Sequence, residues 1–277
     1  MVVLTELKQL LEDPGYKDLP KDTKKIVAKD YLITYILGYI YGHKDYRKLV
    51  FYGGTCLRVV YGLNRLSEDI DTDNKAKINL ENFGNDLQKF VKGLLGEEVL
   101  VHTQTGEGGI SRFVIKMPIL YELGLSPLKS EKLHIKVEVS SHNQTYNKEI
   151  TTKLRNGVSM TIAHFDKPSL MAGKMIACME RVFRKGVTSA MVKGRDWYDL
   201  WWYLSQGVVP NEEKLRADST DGVGVDEAWE IIRSQIKKLK RRDLEVDLVP
   251  FFTDQVFINE WLDNFPDYFE RLFKQAS

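Results

Sequence analysis

A glycine pair between an apolar run and an amphipathic segment constrains this chain more than any other feature. Residues 49–73 read LVFYGGTCLRVVYGLNRLSEDIDTD. The run Leu49 to Tyr52 is cut by Gly53-Gly54 and followed by Thr55 and a helical pattern from Cys56 to Tyr61. This order predicts a strand that enters a glycine turn and feeds a helix. Adjacent glycines let amide N–H groups converge without a Cβ in the way, and Thr55 is placed to cap a helix whose amino end favours negative charge. Asp69 and Asp71 then flank Ile70. In an extended segment the period of two puts both carboxylates on one side and turns Ile70 into the core. Two hard oxygen ligands opposite a phosphate cradle point to Mg²⁺ and a nucleoside triphosphate. A plain tight turn followed by surface acids is the alternative, and the order of glycines, Arg58, Arg65, Ser67 and the DID core speaks against it.

Composition narrows the class around this stretch. A chain of 277 residues supports one large or two medium domains, and 43% apolar with 29% charged residues is the balance of an ordinary globular protein. Forty basic residues nearly cancel thirty-nine acidic ones, so net charge predicts neither nucleic-acid nor membrane binding, while local patches remain open to either. Cys56 and Cys178 sit in apolar helical patterns, as small buried hydrophobes do, with no metal-site spacing. The start, MVVLTELKQLLED, lacks a basic region ahead of a long apolar run, and no apolar stretch reaches membrane-spanning length. A cytoplasmic protein with no membrane association is expected.

Further along, LHIKVEV (133–139) alternates Leu133, Ile135, Val137 and Val139 with His134, Lys136 and Glu138. Glu138 thus faces away from the core, where it is a candidate to complete a metal-binding trio with Asp69 and Asp71. SRFVIKM (111–117) also reads as a strand, and residues 151–162 as a strand or loop connection. Beyond Pro168 the pattern turns helical, first in a helix expected to run through Arg184, then in the RDWYDL helix from Arg195, in one from Asp226 to about Arg241, and in a last one from Asp254 to Phe273 interrupted near Pro266. A boundary near residues 160–168 divides 1–165 from 166–277. Lys174 stands among apolar residues, either as a core-edge lysine or as a cation directed into a cleft. Asp196, near the amino end of the RDWYDL helix, is placed to cap it or to be stabilised by its dipole, and Asp199 lies on nearly the same face.

GGTxLRxxYG followed by RxSEDID resembles the AbiEii/AbiGii-toxin branch of the nucleotidyltransferase superfamily. The resemblance is strong through residues 49–73 and weaker through 133–200. It implies an α+β, polymerase-β-like catalytic core followed by a mainly helical domain. It also implies transfer of a nucleoside monophosphate from an NTP to an acceptor hydroxyl, with Mg²⁺ or Mn²⁺ held by Asp69 and Asp71. KVEVS resembles the family's third-carboxylate motif with glutamate in place of aspartate, which makes Glu138 a metal ligand or a group behind one. Gly53, Gly54 and Thr55 would hold the β and γ phosphates. Arg58 and Arg65 are candidates for pairing with phosphate or the acidic cluster, and Arg58 equally for the solvent face of its helix. Lys174 would neutralise triphosphate charge, with Asp196 as the functional aspartate and Asp199 in reserve, so that Lys174 and Asp196 form the wall opposite GGT and DID. The resemblance further implies a toxin of a toxin–antitoxin or phage-defence system, with RNA, the tRNA 3′ end included, as acceptor and a cognate antitoxin as partner. Basic segments Arg181–Arg195 and Lys237–Arg242 suit RNA. A small-molecule or protein acceptor is the enzymatic alternative, and a non-catalytic binding protein on an inactive core is the alternative from another class.

Overall fold

The computed structural model describes residues 2–96, 98–106, 109–181 and 192–276. The chain divides into two compact units, Met1–Asn143 with Lys148–His164, and Gln144–Asn147 with Phe165–Ser277.

The first unit begins with helices α1 (Val2–Glu12) and α2 (Lys21–Gly42). Strand β1 (Val50–Tyr52), helix α3 (Gly53–Tyr61), strand β2 (Asp69–Asp73) and helix α4 (Phe83–Leu95) follow. Strands β3 (Leu100–Thr105), β4 (Ile110–Met117), β5 (Leu133–Ser140), β6 (Lys148–Arg155) and β7 (Val158–Phe165) complete a mixed sheet in the order β3-β4-β5-β2-β1-β7-β6. β2 runs antiparallel to β1 and parallel to β5, so the strand carrying both aspartates lies between the strand that leads into the glycine pair and the strand that carries Glu138. Alternation decides the faces: Ile70, Phe113, Ile115, Ile135, Val137 and Val139 are buried, whereas His134 and Lys136 are exposed.

Gly38 sits inside α2 because a Cβ there would lie 2.6 Å from Val158 Cγ1, so the glycine permits close packing of helix on strand. Residues 151–162, expected as a strand or loop, fall in two strands of a hairpin. Its turn is Asn156-Gly157, both at positive φ, the geometry that a two-residue hairpin turn requires.

The second unit is helical: α5 (Lys167–Glu180), α6 (Gly194–Ser205), α7 (Glu212–Asp218), α8 (Val225–Ile236), α9 (Arg241–Leu248) and α10 (Gln255–Ala276). Asp166 caps α5 by accepting from Ser169 N at 2.9 Å, with Pro168 in the first turn. Residues 144–147, expected in the first domain, belong here. Asn147 donates to Ser169 Oγ at 3.1 Å and to Asp166 at 3.1 Å, and Tyr146 stacks on Phe165.

Helix α5 ends at Glu180, short of the expected Arg184; residues 182–191, and with them most of the basic segment 181–195, lie outside the described residues. The helix expected over 226–241 is two, parted at 237–240, where Lys240 N donates to the Asp243 carboxylate at 2.9 Å and starts a new helix. Pro266 does not interrupt α10. The apolar stripe Ile258, Trp261, Leu262, Phe265 and Phe269 is buried on both sides of it, and that packing outweighs the hydrogen bond a proline forfeits. No helix among the described residues is long and apolar enough to cross a membrane.

Candidate active site

Asp69 and Asp71 alternate with fully buried Ile70 on β2 and share the face away from it. Asp69 is the better enclosed by charge: its Oδ2 lies 3.6 Å from Lys136 Nζ and its Oδ1 accepts from Lys136 N at 3.3 Å. Burial pushes the Asp69 carboxyl above the usual range, while Lys136 and Lys29 pull against that shift. Asp71 pairs in register with Tyr52 on one side and Glu138 on the other.

The helix after β1 begins at the first glycine, so no separate turn intervenes. Each glycine makes room for another member of the signature. Gly53 has φ +79, and a Cβ on it would collide with the Asp71 carboxylate. A Cβ on Gly54 would lie 2.6 Å from Arg65 Nη2. The first turn of α3 takes no hydrogen bond from the side chain of its N-cap residue, Tyr52, which leaves the amides of Gly53 and Gly54 as the cradle candidates.

Two expected phosphate ligands, Thr55 and Arg58, are turned elsewhere, and Arg65 packs against Gly54. Thr55 does not cap the helix: it is 1% exposed, its hydroxyl donates to the Asp69 carbonyl and shares a hydrogen bond with Ser67, and it thereby ties α3 to β2. Arg65 is 3% exposed and donates to the Leu66 carbonyl at 2.9 Å, filling the space Gly54 leaves. Arg58 pairs with Asp30 at 2.6 Å and donates to the carbonyls of Leu63 and Arg65, which fastens the loop before β2. Burial dictates these outcomes, because an arginine inside the protein must have its donors satisfied there.

The expected metal-binding trio does not form. Glu138 stands beside Asp71 in register, yet its Oε1 accepts from Arg112 Nε at 2.6 Å. No group of three His, Cys, Asp or Glu side chains among the described residues converges as a metal site. Asp69 and Asp71, hard oxygen donors two apart on one strand, fit a divalent cation that keeps part of its water shell; Glu138 is held one step back by Arg112.

In the second unit Lys174 Nζ lies 2.6 Å from Asp196 and 2.9 Å from Asp199, both carboxylates being buried. Arg181 adds a second cation to Asp196 at 2.8 Å. Burial alone would raise the Asp196 carboxyl, but Lys174, Lys193 and Arg181 overcome it and hold it well below the usual carboxylate range. Asp196 is therefore an ion-pair partner in the first turn of α6 and not its cap. Both aspartates orient Lys174, so the distinction between a principal and a reserve acid disappears. Arg195 belongs to a separate pair with Asp247 and lies 3.9 Å over the Phe251 ring. Asp196, Arg181 and Lys193 line a cavity of about 410 Å³ within this unit. Trp197 is core, and Trp201 packs on Tyr198 and Trp261.

Sequence reasoning missed Arg112, Lys136 and Arg181. Alternation already set Arg112 and Lys136 on the non-core faces of their strands; only the pairing of β4 with β5 and of β5 with β2 shows which acids they meet.

A strand pair of aspartates against the amino end of a helix, on an α+β scaffold, defines a nucleotidyltransferase core of the polymerase-β type. The family model described as nucleotidyl transferase AbiEii toxin, type IV TA system, matches residues 40–276, and the chain belongs to that family of nucleotidyltransferase toxins. Its fold is similar to a crystal structure of a candidate nucleotidyltransferase from H. pylori, with a TM-score of 0.53, 19% identity, and coverage of 91% of this chain and 96% of that one. MenT4, a nucleotidyltransferase toxin from Mycobacterium tuberculosis H37Rv, has a TM-score of 0.46 at 17% identity, over 76% of this chain and 67% of that one. No curated protein matches the chain.

Proposed function

We propose that this enzyme transfers a nucleoside monophosphate from an NTP to a hydroxyl of an RNA, the tRNA 3′ end included, in a Mg²⁺-dependent reaction. The acceptor oxygen attacks the α-phosphorus, the bond from that phosphorus to the bridging oxygen breaks, pyrophosphate leaves, and the hydroxyl proton is lost. The observation that carries the reading is that the Asp71 carboxylate fills the space where a Cβ on Gly53 would stand, so that a carboxylate proposed to bind metal lies beside the first residue of a helix.

A divalent ion on Asp69 and Asp71 would supply charge neutralisation at the α-phosphate and lower the cost of ionising the acceptor hydroxyl. The amides of Gly53 and Gly54 orient the β and γ phosphates through fixed N–H dipoles. Arg112 holds the Glu138 carboxylate beside Asp71. In the second unit the Lys174 ammonium is held by Asp196 and Asp199. The type IV toxin family makes an antitoxin the expected biological partner.

The test is incubation with each α-labelled NTP, Mg²⁺ and a cellular RNA pool. Label enters RNA with the intact protein and not with Asp69→Ala/Asp71→Ala. Label in protein or small molecules instead, or equal labelling by both proteins, overturns the RNA reading.

A further inference from the structure

On one side of the β2 carboxylates lies the glycine pair after β1, the proposed cradle for the triphosphate. On the other side lie β5 and then β4. Their outward residues pair in register as Lys116 with His134, Val114 with Lys136 and Arg112 with Glu138. Lys136 reaches Asp69 at 3.6 Å, so the strip abuts the proposed metal-binding carboxylates. Arg112 is likewise answered by an acid, Glu138, and on neighbouring α2 Lys29 is answered by Glu68 at 2.9 Å. Lys116 and Lys132 form no ion pair among the described residues. Besides burial, Lys116, Lys29, Lys132 and Lys136 all depress the basicity of His134, which shows how closely the like charges gather. Such crowding is unfavourable unless an anion is bound there for part of the cycle.

We infer that the outward strip of Lys116, Lys132, His134 and Lys136 binds the phosphate backbone of the RNA that presents the acceptor hydroxyl at Asp69. This rests on the RNA reading above. The donor nucleotide then lies on the β1 side of the carboxylates and the acceptor on the β5 side, as transfer between two anions requires. Four residues at a strand's rise carry Lys132 about 13 Å from Lys136, a span suited to successive phosphates of a polymer and not to one phosphate group. Exposed His134 offers a ring against which an unstacked base can lie.

The experiment uses the full chain, 5′-labelled bulk tRNA and a fluorescent NTP analogue with Mg²⁺. Lys116→Glu/Lys132→Glu is expected to weaken tRNA binding about tenfold or more and to reduce the slope of log affinity against log salt by about 2, one for each lost phosphate contact. NTP binding stays within about twofold of the unaltered protein, because electrostatics at that range are screened. Lys116→Ala/Lys132→Ala, which removes charge without reversing it, shows the same slope change and guards against a folding defect in the first variant. Unchanged tRNA affinity and slope in both variants overturn the inference, as does a parallel loss of NTP binding in the alanine pair. If the unaltered protein binds no tRNA and labels no RNA, the RNA reading itself falls; if it labels RNA and both variants label equally, this inference alone falls.

Discussion

Gly53 carries two demands at once: a positive φ, and a missing side chain where the Asp71 carboxylate lies. Gly53→Ala is expected to cost about 1–2 kcal/mol in backbone strain, read by chemical denaturation, and to abolish nucleotide transfer by displacing Asp71. Transfer retained at more than a tenth of the original rate would show that Asp71 does not need this position. Lys174 answers two buried carboxylates, so Lys174→Met takes the ammonium from both while Arg181 still meets Asp196, and it is expected to lose about 3 kcal/mol of stability in chemical denaturation. Asp196 supplies a pH dependence. Its carboxyl is depressed in the folded protein, so its contribution is fully present above the unfolded carboxylate value of about 4 and is lost as pH falls through the lower folded value. Asp196→Asn is expected to flatten the fall of melting temperature with acid below about pH 4; an unchanged acid limb contradicts the ion-pair role.

At the scale of elements, buried Asp30 on α2 receives Arg58 from α3 and Arg155 from β6, both half-buried, in a three-way tie. Arg58→Met is expected to lower stability by about 3 kcal/mol in urea denaturation while leaving NTP binding intact, which separates a fastening role from a phosphate contact. Loss of NTP binding without loss of stability would restore the phosphate role expected from the motif. Local patterns made β2, β5 and the start of α5 legible, because alternation, helical spacing and Pro168 are read within a few residues. The partners of Thr55, Arg58, Arg65 and Glu138 were not legible. Thr55 with Asp69, Arg58 with Asp30, Glu138 with Arg112 and the packing of Arg65 against Gly54 are contacts between residues distant in the chain, and no period encodes such pairings. The break at 237–240 and the continuous α10 show the same limit: capping and packing overrode the run of helix formers in one case and a proline in the other.

Over the whole molecule, a formal net charge of +1 leaves RNA affinity to local patches. Binding is therefore expected to be salt-dependent in proportion to the phosphates the patch meets, not to the charge of the chain. The carboxylate pair, glycine amides and basic strip all belong to the first unit, and the Lys174 cluster to the second. The central claim is that the α-phosphate of an NTP is moved, with its nucleoside, by chemistry centred on Asp69 and Asp71. Parallel reactions with α-labelled and γ-labelled NTP test it most directly. Only the α label is expected to be retained on RNA, with pyrophosphate in equal amount, and Asp71→Asn is expected to abolish both. Retention of the γ label, or transfer undiminished in Asp71→Asn, would contradict it.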